Sequence, residues 1–110
     1  MTDEMQFSAD FKKIKEEYLA SIPEKLEDIK QLIEQLKTEP QAGDFILLHN
    51  HIHQIAGNAS IFGFEGVANI CKDYDLKLQN LLHSLSPDTM KRTVPELEEL
   101  LKILYRLFKI

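Results

Sequence analysis

The sequence is short of several things. Among its 110 residues it has one cysteine, no tryptophan, 4 glycines and 4 prolines. A lone Cys71 excludes an internal disulfide and any cysteine-built zinc site. Few glycines and prolines beside a 44% hydrophobic content exclude a disordered or low-complexity chain. No stretch approaches about 18 consecutive apolar residues, so no membrane-spanning helix is expected. Basic residues are in the minority, 13 against 18 acidic ones, and the net charge is -5. Without a basic stripe, neither nucleic acid nor an anionic membrane is expected as a partner. There is no glycine-rich phosphate loop, so a self-sufficient kinase is not expected. The polar, acidic segment Met1 to Asp10 lacks the apolar centre of a secretory signal. The expectation is a cytoplasmic, monomeric domain with no cofactor and no metal, whose function sits in a few residues.

What is present is helical periodicity from end to end, with no alternating β-branched run. Residues 1–7 read as a flexible tail and residues 8–110 as a single domain. Ser8 is placed to cap a short first helix carrying Phe11, Ile14 and Tyr18. Ser21-Ile22-Pro23-Glu24 reads as a capping box that starts a second helix bearing Leu26, Ile29, Ile33 and Leu36. Pro40 and Gly43 end it. A third helix, from about Asp44 to Ile61, has the apolar series Phe45, Leu48, Ile52, Ile55, Ala59 and Phe62, and Gly63 stops it. A fourth carries Val67, Ile70, Cys71, Tyr74, Leu78, Leu81 and Leu85. The last starts at Ser86-Pro87-Asp88 or, with a second possible capping box, near Pro95; it presents Leu97, Leu101, Leu104 and Phe108. Short loops between amphipathic helices predict an all-α, antiparallel up-down four-helix bundle with an additional short N-terminal helix.

Three of the four histidines fall in His49-Asn50-His51-Ile52-His53. At about 100° per residue, His53 points roughly 130° away from the apolar stripe, into solvent. His49 lies nearly on the same line, and His51 falls on the opposite flank as a half-buried edge residue. The surroundings of His53 are unusual for a solvated helix face. One turn on come Ala56 and Gly57, and a second turn on comes Ser60, where lysine or glutamate would be the ordinary choice. Gly57 in mid-helix costs about 1 kcal/mol relative to alanine. That cost at a solvated position implies that side chains are unwelcome there because something must approach the His53 ring closely. A neutral imidazole offers a lone pair without a general base, and histidine forms covalent intermediates that split a transfer into two steps.

The stretch His53-Gln54-Ile55-Ala56-Gly57-Asn58-Ala59-Ser60-Ile61-Phe62-Gly63 resembles the signature of histidine phosphotransfer (HPt) domains. In that family an apolar residue follows the histidine by two, glycines follow by four and ten, and Ile55, Gly57 and Gly63 match. An acidic residue commonly follows by about 22, on the next helix; Tyr74-Asp75 occupies that place. The family's usual lysine three residues after the histidine is Ala56 here. The resemblance implies a phosphorelay intermediate. His53 would take a phosphoryl group from a receiver-domain aspartate and pass it to another receiver, with a hybrid histidine kinase as a further possible partner. The protein would be a phosphocarrier and not an enzyme. Mg²⁺ and the acidic pocket would belong to the receiver. For the missing lysine, Lys72, Lys77 or a protonated His49 are candidate substitutes; Asn58 and Ser60 are candidate hydrogen-bond donors. Ile61, Phe62 and Phe64 would form an apolar docking rim.

Other readings are blander. Each histidine on its own is an ordinary surface residue, and His83 near a helix end suits the macrodipole. His49 and His53 have the spacing of a zinc-binding pair, but Asn50 stands where the catalytic glutamate would be, and third and fourth ligands are lacking. Cys71 reads as a small buried hydrophobe. Glu96, Glu98 and Glu99 read as a solvated face, and Leu100 and Leu107 as excess apolar residues for a dimer or partner. The alternative function is a helical adaptor that binds a receiver or kinase and never carries phosphate.

Overall fold

The computed structural model describes residues 2–110, and their side chains from residue 8. The expected tail over residues 1–7 lies outside the residues described with their side chains. Four helices follow one another: α1 (Thr2–Thr38), α2 (Ala42–Ile61), α3 (Glu65–Leu81) and α4 (Pro87–Leu107), with a 3₁₀ turn (Leu82–Ser84) between the last two. Short connections make sequential neighbours antiparallel, and α4 closes the ring by packing on α1. Among the described residues there is no strand.

The N-terminal helix is not separate. α1 is one helix of 37 residues with Pro23 inside it. The expected capping box at Ser21 does not form; the Ser21 hydroxyl instead donates to the Tyr18 carbonyl one turn back. The reason is burial on both sides of the proline. Tyr18, Ile22, Leu26 and Ile29 form one buried line, so breaking the helix at Pro23 would turn part of that line out of the core. Ser8 accordingly lies inside the helix. Pro95 repeats the pattern. α4 starts at Ser86, whose hydroxyl accepts from Thr89 N–H, and runs through Pro95, while Thr93 donates to the Thr89 carbonyl.

At about 1.5 Å per residue, α1 is almost twice as long as its partners, and the molecule is 57 Å along its longest axis. The upstream part of α1 covers one end of the bundle. There Tyr18 stacks on Phe62 at 4.9 Å between ring centroids and meets Phe108, while Phe11 packs against Phe62 and Phe64 against Phe108. Phe62 and Phe64 are thus half-buried parts of this end and not a free docking rim; Ile61 is exposed.

In α4 the buried line runs through Leu97, Leu100, Leu104 and Phe108, one step round from the expected Leu101. Leu100 is core and not spare surface; Leu107 is exposed. Nor is Glu96 or Glu98 merely solvated: Glu96 pairs with Lys77 on α3, and Glu98 with Lys37 on α1.

Candidate functional site

The site is the seam between α2 and α3. α2 ends in a helix-stop built on Gly63, which has φ +82°. Gly63 N–H donates to the Ser60 carbonyl, and Phe64 N–H donates to the Ala59 carbonyl. These are the two bonds of a Schellman cap, whose left-handed residue favours glycine. Gly63 therefore serves as the structural stop of α2. The tight reversal brings α3 back along α2. Small buried side chains on the two helices (Ala56 and Ala59, Ala68 and Cys71) keep the bulk at this seam low.

That return sets Asp75 of α3 opposite His53 of α2. His53 Nδ1 lies 2.8 Å from Asp75 Oδ2. His49, one turn earlier on α2, places Nε2 2.6 Å from the other carboxylate oxygen, Oδ1. One carboxylate thus serves two imidazoles. The environments differ sharply: the His53 side chain is 70% exposed, against 14% for His49 and 18% for Asp75. Burial pushes the Asp75 carboxyl up, but the histidines at its two oxygens outweigh that and hold it below its ordinary range.

The geometry determines where the protons are. A nitrogen and a carboxylate oxygen this close need a proton between them, so the neutral His53 ring carries its hydrogen on Nδ1. The lone pair is then on Nε2, on a ring that is mostly in solvent. The arrangement has the geometry by which a buried aspartate orients an imidazole from behind and leaves the outer ring nitrogen open.

The other expected residues distribute as follows. Gly57 and Ser60 lie on the exposed side, as does Gln54, and Asn58 is half-buried. A Cβ built on Gly57 would meet nothing within 4 Å, so nothing in this chain requires the glycine. Ala56 is not on the open face: it is 4% exposed and belongs to the core. It follows His49 by seven residues, on the side of α2 that meets α3. The position of the family's lysine is thus a packing position here. Lys72 is exposed on α3, one turn before Asp75. Lys77 is paired with Glu96 on the α4 side and is no substitute at His53. His51 is half-buried on the opposite flank, in a groove with Asp28, Leu32 and Leu47. His83 is in the 3₁₀ turn, away from this seam. Cys71 is fully buried, and burial together with the Asp75 charge pushes its thiol up to about 12, so it is no nucleophile near neutral pH. Among the described residues, no cluster of three or more histidine, cysteine or acidic side chains stands where it would hold a metal ion. No helix among them is long and apolar enough to cross a membrane. The sequence pattern placed Asp75 in register without giving it a task; its spacing of 22 from His53 was the available signal.

In a comparison with known protein families, the model of the Hpt domain fits residues 13–107. The chain belongs to the Hpt domain family. Hpt domains act in phosphotransfer within two-component relays, as phosphocarriers that interact with receiver domains and kinases. The match begins inside α1 and takes in nearly all of the bundle, the α2–α3 seam included. No curated protein and no solved structure matches the chain significantly.

Proposed function

We propose that His53 is the phosphoryl acceptor of this Hpt domain, loaded by the aspartyl phosphate of one receiver domain and unloaded onto the aspartate of another. The observation that carries the reading is the bond from His53 Nδ1–H to Asp75, which leaves Nε2 with its lone pair on an exposed ring. In the forward step Nε2 attacks phosphorus, the bond from phosphorus to the receiver's aspartyl oxygen breaks, and the electron pair leaves with that carboxylate. The ring, now bonded at Nε2 and protonated at Nδ1, is cationic. Asp75 faces this positive charge and stabilises it. The return step reverses the bonds: a second receiver carboxylate attacks phosphorus and Nε2 recovers its lone pair. No proton need leave the site in either direction.

The open face suits this task. Gly57, Ser60 and Gln54 present short or flexible groups around the ring, and the space beyond Gly57 is free. A rigid helix holds the imidazole more accurately than a loop would. Lys72 is the basic side chain best placed on α3 to face the incoming charge.

The test is to incubate the protein with a phosphorylated receiver and measure acid-labile, base-stable label on the chain. The reading predicts label on the wild type and none on His53→Gln. Binding of the receiver without label on the wild type would favour the adaptor instead.

A further inference from the structure

His49 takes no part in the transfer just described, yet it is the better enclosed of the two histidines at Asp75. Its Nε2 and Asp75 Oδ1 are both cut off from solvent, lie 2.6 Å apart, and make no hydrogen bond to any other group among the described residues. At 2.6 Å a proton must lie between them, so His49 faces the carboxylate with N–H. The arrangement has a consequence for His53.

The terminal torsion of an aspartate is broad. A single contact at Oδ2 leaves the carboxylate free to swing about that torsion, whereas contacts at both oxygens fix its plane. Removing the His49 N–H would also strand Oδ1 as a buried, unpartnered charge. Such a group gains by taking up a proton or turning toward water. A protonated or rotated Asp75 no longer demands hydrogen on His53 Nδ1. The ring is then free to carry it on Nε2, where it blocks the lone pair.

We infer that His49 is a positioning residue: by holding Asp75 Oδ1, it keeps the carboxylate aimed at His53 Nδ1 and so keeps the free lone pair of the reactive ring on Nε2. The inference deepens the proposed function and rests on it for its consequence in phosphoryl transfer, but the tautomer itself can be read without any transfer.

The experiment is ¹⁵N NMR of the imidazole nitrogens in the wild type, His49→Gln and His49→Leu, together with transfer from a phosphorylated receiver. Glutamine keeps an N–H donor within reach of Oδ1; leucine fills the space without one. The expected result is a His53 ring with hydrogen on Nδ1 in the wild type and in His49→Gln. In His49→Leu the Nε2–H form gains at its expense, with transfer slowed about ten-fold. Should leucine unfold the bundle, His49→Asn, too short to reach the carboxylate, is expected to behave as leucine would. An unchanged His53 tautomer in folded His49→Leu or His49→Asn overturns the inference. Wild type that shows the Nδ1–H tautomer but takes no label overturns the phosphoacceptor reading alone.

Discussion

Asp75 Oδ2 accepts a hydrogen bond from His53 Nδ1–H at 2.8 Å, across the α2–α3 seam and 22 residues along the chain. The bond joins the side chain with most solvent around it to one that is nearly enclosed. It converts an exposed histidine into one with a defined tautomer.

Asp75→Asn removes the charge that fixes the proton. An amide has an N–H of its own to offer, so the His53 tautomer is no longer imposed. Transfer from a phosphorylated receiver should fall at least about ten-fold, the lower end of the losses seen when a carboxylate that orients an imidazole is removed. Circular dichroism should report an intact bundle. A variant that transfers at the wild-type rate would remove Asp75 from the account.

The same substitution has a pH signature. The Asp75 carboxyl is held below its ordinary range in the folded chain. Its stabilising contribution is therefore present above the unfolded value and lost as pH falls through the lowered folded one. Wild type should exceed Asp75→Asn in urea stability by about 2 kcal/mol at pH 6. The gap should close as the pH falls through the acid range below 4. A gap that stayed constant down to pH 2.5 would show that the charge is not what stabilises.

Gly57→Ala separates folding from function. The new methyl group meets nothing within 4 Å. Alanine is the better helix former, so stability should rise by about 1 kcal/mol. Transfer should nevertheless slow, and Gly57→Leu should nearly abolish it with the helix content unchanged. Faster or unchanged transfer in both variants would contradict the view that the open face receives a partner.

Tyr18→Phe should stabilise the bundle. Tyr18 is buried and its ring is stacked on Phe62, while its hydroxyl is buried without a hydrogen-bond partner among the described residues. Burial also pushes that hydroxyl up to about 12. Deleting the oxygen keeps the stacking and removes an unpaired polar atom, for a gain of about 1 kcal/mol in chemical denaturation. A loss of stability would mean that the hydroxyl has a partner after all.

Much of this was legible in the sequence, for identifiable reasons. The stripe from Phe45 to Ala59 marks both the core face of α2 and, by rotation, the solvent side on which His53 stands. Gly63 marks a helix stop because a left-handed residue favours glycine. Two features were not legible. Ser21 and Pro23 have the spacing of a helix start, but local spacing carries no information about whether Tyr18 and Leu26 will be buried together. Tertiary burial overrode it, and the same happened at Pro95. Ala56 is ambiguous in the sequence, because a small residue beside Gly57 suits either a gap or a tight seam. Only the position of α3 distinguishes them. Asp75 is the instructive case, since its meaning depends on a turn that returns α3 in register with α2.

The most direct test of the central claim is to load the protein from a phosphorylated receiver and locate the phosphoryl group on the intact chain by mass spectrometry under alkaline conditions. A group on His53, bonded through Nε2 and missing from His53→Gln, is the predicted result. Loading on a different residue, or equal loading of His53→Gln, would contradict it.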